Sequence, residues 1–383
     1  MPRSRPRGAG SSCVRSAPGT AERGAPAVLG CTLSDDDAVG DDREDGVVLQ
    51  ALTDRDRDLA VPYHLLLGPD THGVTQYAGV VAGAAGAPVA RDVTQLLAGQ
   101  PVHVHVTDRL LSRDPAAAAA AVETLARKVR LTLTLHDVPQ PTDGPVFHAR
   151  ARAYRRMVTA SRAWATNSWH EHALVGRWCA PDARGAVIPL PVLRTGGSEV
   201  STVEVVDALL GGLFGFVYPG KGHRQAVRAA AALRRAGTLA RVRVLGGAAP
   251  GHDDEVEELV RSSRARGVPV EVTGRVPETQ LVRALRRVAV PVVAHRNVSA
   301  SASLNSWIAA GRRPLVRDGA YAREMAELRP GTITIFDDST LVPRLEAALH
   351  RPATTWTTPG TDLGPSLEDT AAAYRAWWAS VDA

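Results

Sequence analysis

The feature that most constrains this chain is a rhythm repeated from about residue 61 to 345, in which short apolar runs alternate with Ala- and Arg-rich stretches of helical period. PVHVHVTD reads as a buried strand. DPAAAAAAVETLARKV reads as a helix with Asp114 at its N-cap and Pro115 at its first position, and VRLTLTLHD as the next strand. Nearly continuous apolar strands separated by helices specify a parallel sheet covered on both faces. The rhythm occurs twice, so the reading is an α/β fold of two Rossmann-like halves. The expected divisions are a first domain over 59–193, a linker over 194–209 around RTGGSEVS, a second domain over 210–350, and a tail over 351–383. In that tail SLEDTAAAYRAWWASVDA forms a helix candidate capped by Ser366, and its Tyr374, Trp377 and Trp378 require a surface to dock on.

Residues 1–58 run through Ser, Gly and Pro into SDDDAVGDDRED and carry too little apolar surface to offset ordering entropy, so a flexible tail is expected, to which GVVLQAL could add a strand. The remaining length and the 44% hydrophobic content suit two ordinary domains. No run approaches the roughly 20 apolar residues of a membrane span, and the N-terminus lacks the apolar core of a signal peptide, so a cytoplasmic protein is expected. The formal charge of +5 comes from arginines scattered among 40 acidic residues, which argues against a nucleic-acid partner. HARARAYRRMVTASRAW joins Arg150, Arg152, Arg155, Arg156 and Arg162 to Met157, Val158 and Trp164 at helical spacing. Such a face could rest on anionic lipid at the inner side of a membrane, or simply be solvated. Cys13, Cys31 and Cys179 offer neither a disulfide framework nor a cysteine metal site.

In open α/β sheets ligands bind beyond the carboxyl ends of strands, where helix N-termini present free amides. Four such places stand out. GFVYPGKGH sets Gly220 and Gly222 around Lys221 just before a helix, a pattern that brings backbone amides and an ammonium to an anion. Arginine supplies 43 of the 45 cationic residues, so a lysine here is a selected feature. SASASLNSWIAAGRRPLV offers a second helix start, capped by Ser301 or Ser303, with Gly311 ending the helix. LTLTLHD ends in His136 and Asp137, where a histidine can bond a sugar hydroxyl or leaving oxygen. GPDTHGVTQYAG sets Gly68 and Gly73 around Asp70, Thr71 and His72, in a loop expected to border the cleft. His103 and His105 share a strand face, but no third ligand is suggested, so packing is expected and no metal site is assigned. The histidines of HEH at 170–172 lack metalloprotease spacing, and the absence of a complete GxGxxG gives a nicotinamide cofactor no support.

These residues, in this order, resemble the retaining GT-B glycosyltransferases of the family 4 type, over about residues 61–345. GFVYPGKGH is similar to that family's lysine loop, VTGRVPETQL to its GxVpxxeL element, and SASLNSWIAAGRRPLV to its donor helix. The resemblance implies two facing domains with the C-terminal helix crossing back to the first. The implied reaction is transfer of a hexose from a nucleotide-diphosphate sugar to an acceptor hydroxyl with retention, using no metal and no cofactor beyond that co-substrate. The acceptor is a glycan, a lipid or a small molecule. Lys221 would hold the diphosphate with Gly220 and Gly222. Ser301, Ser303 and Leu304 would support the phosphates, and Gly274, Arg275 and Val276 would lie beside the base. Asn305 or Ser306 would take the ribose, His136 would contact the sugar, and Thr71, His72 and Gly73 would border the acceptor. The chain departs from the pattern at Phe216, where the family has arginine, and at Val298 and Ser306, where the two EX7E glutamates would fall. Arg296 and Arg312 could supply charge instead. Those departures favour, as alternatives, a non-catalytic homologue that binds nucleotide or glycan, or a sugar-nucleotide epimerase on the same architecture.

Overall fold

The computed structural model describes residues 61–181, 183, 185–193, 207–249, 251–298 and 300–382; the expected tail over 1–58 and most of the expected linker lie outside these. The first sheet begins with β1 (Tyr63–Leu65), α1 (Gly73–Ala85), β2 (Val89–Ala90) and β3 (Pro101–Val106). A short α2 (Asp108–Leu111), α3 (Pro115–Lys128), β4 (Arg130–Leu135), α4 (Phe147–Ala160), β5 (Ala163–Thr166), α5 (Trp169–Leu174) and β6 (Ala186–Val187) complete it. All pairings are parallel, in the order 2-1-3-4-5-6. The local reasons are those read from the residues. Asp114 accepts the Ala116 amide at 3.0 Å and starts α3, whose Ala118, Ala119, Val122 and Leu125 face the core.

The second sheet contains β7 (Asp207–Phe214), α6 (His223–Arg235), β8 (Arg241–Leu245), α7 (Asp253–Arg264), β9 (Val270–Val272) and α8 (Glu278–Arg286). It continues with β10 (Val288–Val293), α9 (Ala302–Ala309), β11 (Leu315–Arg317), α10 (Ala320–Leu328), β12 (Thr334–Phe336) and α11 (Leu341–His350). Its order is 12-11-10-7-8-9, again all parallel. Both sheets therefore reverse direction once, between β1 and β3 in the first and between β7 and β10 in the second. The loops leaving the carboxyl ends of those strands open the crevices where this architecture binds ligands.

The last helix, α12 (Leu367–Asp382), crosses back and packs on α1 of the first lobe. Ser366 and Asp369 cap it reciprocally, the Asp369 amide donating to Ser366 Oγ at 3.1 Å and the Ser366 amide to Asp369 Oδ2 at 2.9 Å. Its Tyr374 and Trp378 are buried with Val81, Ala85 and Ile188, and the Tyr374 hydroxyl lies 3.0 Å from Thr134 Oγ1. Both chain crossings meet at Arg329, a buried guanidinium that donates to the Leu190 carbonyl at 2.6 Å and the Gly364 carbonyl at 2.7 Å. Trp378→Ala is expected to cost about 3–5 kcal/mol by removing a large buried side chain, read as a lower urea midpoint; a midpoint shift under about 1 kcal/mol would contradict the docking described.

Candidate functional site

Lys221 and Ser301 leave β7 and β10 on either side of the second sheet's reversal point. Gly220 and Gly222 both have positive φ, at 89° and 93°, which lets the chain turn tightly into α6. A side chain at Gly222 would place its Cβ 2.3 Å from the Ala294 carbonyl, so the loop lies directly on the end of β10. Lys221 is only 6% exposed, and among the described residues no carboxylate pairs with it. Its Nζ donates to Ser303 Oγ at 3.4 Å and lies 5.6 Å from the Tyr218 ring centroid. Burial pushes its pKa down to about 7. Ser301 Oγ accepts the Leu304 amide at 3.2 Å and caps α9, so the ammonium sits where that helix presents its N-terminus. His223 and His295 are buried close by, and burial, with the Lys221 charge second, holds both imidazoles well below their usual pKa. Three desolvated basic groups thus meet at this point of the fold.

Beside this cradle the strand ends carry glycine in place of side chains. Gly215 after β7, Gly246 after β8 and Gly274 after β9 have φ of 105°, 154° and 70°. The Gly274 amide donates to the Gly246 carbonyl at 3.1 Å, and a Cβ at Gly246 would meet the Gly215 carbonyl at 2.1 Å. The result is a backbone shelf on which a flat group can lie, with Arg275 exposed at its end and Val276 half-buried against the core.

Across the cleft the first sheet presents its own reversal point. His72 caps α1, its Nδ1 accepting the Val74 amide at 3.2 Å, with Thr71 and Gly73 exposed on either side. His136 follows β4 and is 6% exposed; burial first, and His72 second, lower its pKa to about 3, so the ring is neutral. Its Nε2 lies 3.1 Å from His105 Nδ1. Asp137 next to it is the sole non-glycine with positive φ among the described residues, at 50°. That turn is braced by Arg150, which is paired to Asp108 and Asp143 and donates to the Asp137 carbonyl at 2.8 Å. Burial first, and Asp137 second, raise the pKa of the Tyr218 hydroxyl.

Some expectations change. Asn305 is turned away from the cleft, its Nδ2 donating to the Pro191 carbonyl at 3.0 Å, so it secures the lobe crossing and its amide is not free for a ribose. Ser306 Oγ bonds back to Ala302 within α9. Arg312 supplies no charge to the cleft: it is wholly buried, donates to the Ala289 and Thr355 carbonyls at 2.8 and 3.1 Å, and stacks 4.0 Å from the Trp356 centroid. Arg296 is exposed at the Gly220 loop, where its amide donates to the Gly220 carbonyl. The lipid-facing reading of α4 is corrected, because Met157, Val158 and Trp164 are in the core and Arg150 and Arg156 are held in ion pairs. No helix among the described residues is long and apolar enough to cross a membrane. His223 and His295 went unnoticed in the sequence; the alternation of His223 with Lys221 around Gly222 was the available signal.

No family model and no curated protein matches the sequence. Solved structures do. Anabaena HepE, crystallised with UDP and glucose, superposes with a TM-score of 0.58 at 14% identity, covering 84% of this chain and 97% of that one. A trehalose-phosphate synthase (UDP-forming) from Burkholderia vietnamiensis gives 0.54 at 14% identity over 82% and 81%. The sucrose-phosphate synthase of Thermosynechococcus elongatus gives 0.52 at 16% identity over 83% and 79%. At these identities the likeness is one of fold, and with the two parallel six-stranded sheets it defines a GT-B architecture. Gly222→Ala is expected to cost about 1–3 kcal/mol through its left-handed backbone and the contact with Ala294, measured by denaturant unfolding. An unchanged midpoint would mean the loop does not rest on β10.

Proposed function

We propose that this chain is a glycosyltransferase that takes a hexose from a nucleoside-diphosphate sugar and transfers it to an acceptor hydroxyl with retention of configuration. The observation that carries the reading is the buried, carboxylate-free Lys221 ammonium held against the capped N-terminus of α9 at the sheet's reversal point. Departure of a nucleoside diphosphate develops negative charge on the phosphate oxygen that leaves the sugar. Lys221, the Ser303 amide in the first turn of α9 and the start of α6 would stabilise that charge without reorganising. The glycine shelf ending at Gly274, Arg275 and Val276 suits the nucleoside. Neutral His136 meets the sugar from the opposite edge, with the Thr71–Gly73 loop on the acceptor side. UDP is the first donor base to test, since HepE was crystallised with UDP and with UDP-glucose.

A second reading, a non-catalytic homologue that binds nucleotide, is favoured by one observation. The positions of the family's ribose and diphosphate contacts hold Ser306, bonded to its own helix, and Phe216, a 55% exposed ring. Release of UDP from UDP-glucose, with and without candidate acceptors, separates the two.

Two results test the site itself. In a thermal-shift panel of UDP, GDP, ADP and dTDP and their sugar conjugates, one nucleotide at about 100 times its dissociation constant should add roughly 2.7 kcal/mol of stability. Lys221→Ala should weaken that binding by about 1.5–3 kcal/mol. No stabilisation by any nucleotide at millimolar concentration would remove the donor assignment. The pH dependence has a definite sign. The free lysine loses its proton near pH 7, and a bound diphosphate restores it, so binding above pH 7 takes up a proton and affinity falls as pH rises, by up to about tenfold per unit. Calorimetry in buffers of different ionisation enthalpy reads this uptake; the same uptake in Lys221→Ala would assign it to another group.

A further inference from the structure

The first lobe holds a histidine cluster that the transfer reaction leaves unused. His64 on β1 is the cross-strand partner of His103 on β3, and His105 follows on the same face two residues later. The three are 0%, 0% and 2% exposed, and their nearest donor atoms all lie within 4.8 Å of one another. Both ring nitrogens of His64 and the Nε2 of His105 are buried with no hydrogen-bond partner. Orphaned polar atoms of this kind are costly unless something is bound to them. The remaining ring nitrogens, of His103 and His105, are held. His105 Nδ1 lies 3.1 Å from His136 Nε2, and His103 lies 2.9 Å from Thr132 Oγ1 and 3.0 Å from Thr134 Oγ1. His105 thus has one ring nitrogen turned inward and the other fixed by an outer partner, the arrangement of metal-binding imidazoles, whereas His103 has both nitrogens held and His64 neither.

We propose that His64, His103 and His105 form a transition-metal site, with Zn²⁺ the ion it takes. Metal–nitrogen bonds of about 2.1 Å set donors about 3.4 Å apart in a tetrahedron, so the rings turn inward on binding and His103 exchanges one threonine contact for the metal. Three imidazoles leave the fourth corner to an exogenous donor such as water. The site lies under α12: the Trp378 ring is 5.2 Å from His64, and Tyr374 bonds the Thr134 hydroxyl that orients His103. The metal therefore fastens the crossover helix to the first lobe. His64 supplies the third ligand that the spacing of His103 and His105 alone did not suggest, which revises the expectation of no metal site.

The test uses the tag-free full chain, unfolded in guanidinium with chelator and refolded with or without equimolar Zn²⁺. Expected is about one zinc per chain retained after desalting, with a higher Tm than the zinc-free protein. Retention should be lost in His64→Gln and His105→Gln, and affinity should be roughly 10- to 100-fold weaker in Thr134→Val. Co²⁺ refolded in place of zinc should give the intense visible bands of a four-coordinate ion. Zinc retention no greater than that of His64→Gln would overturn the proposal. If the variants do not fold, a wild-type cobalt spectrum with only the weak absorption of a six-coordinate ion would do the same.

Discussion

A lysine ammonium removed from water, with no carboxylate paired to it among the described residues, is the constraint on which the proposed site in the second lobe depends. Burial opposes the charge of Lys221, and among the described residues its partners are a serine hydroxyl and a tyrosine face. A protein that needed this side chain for stability would pair it or expose it. The charge is instead held ready beside helix amides, and the tight glycine turns that place it there follow from the same demand. The Gly215–Gly246–Gly274 shelf clears the neighbouring strand ends of side chains, which is the room the proposed nucleoside would need.

The two lobes are tied by polar hubs away from the cleft. Arg329 and Asn305 hold the Leu190–Pro191 crossing. On the far side of the crevice Glu324 on α10 accepts the Trp169 and His170 amides at 2.7 and 2.9 Å, a carboxylate on the N-terminus of α5. Interactions of this kind join the two lobes through side chains and backbone of both.

What the sequence revealed was local. Asp114, Ser301 and Ser366 were readable as caps because capping is decided within four residues, and the Lys221 loop because glycine spacing and the rarity of lysine are visible in one line. The buried network was not readable. Arg312 looks like a cleft cation until Trp356 and the carbonyls around it are brought together by the return of the chain, and Asn305 looks like a ribose ligand until Pro191 lies beside it. His64 joins His103 only through the register of β1 on β3. Met157 and Val158 left lipid contact and a solvated face both open, because helical spacing alone does not tell which partner the apolar face meets.

The most direct measurement of the central claim is a crystal structure of the chain with bound UDP. The account predicts the diphosphate against Lys221 Nζ and the Ser303 amide, with the base over the Gly246–Gly274 shelf. A diphosphate bound instead among Arg224, Arg228 and Arg296, in the cavity of about 350 Å³ that the Gly220–Gly222 loop also lines, with Lys221 untouched, would contradict it.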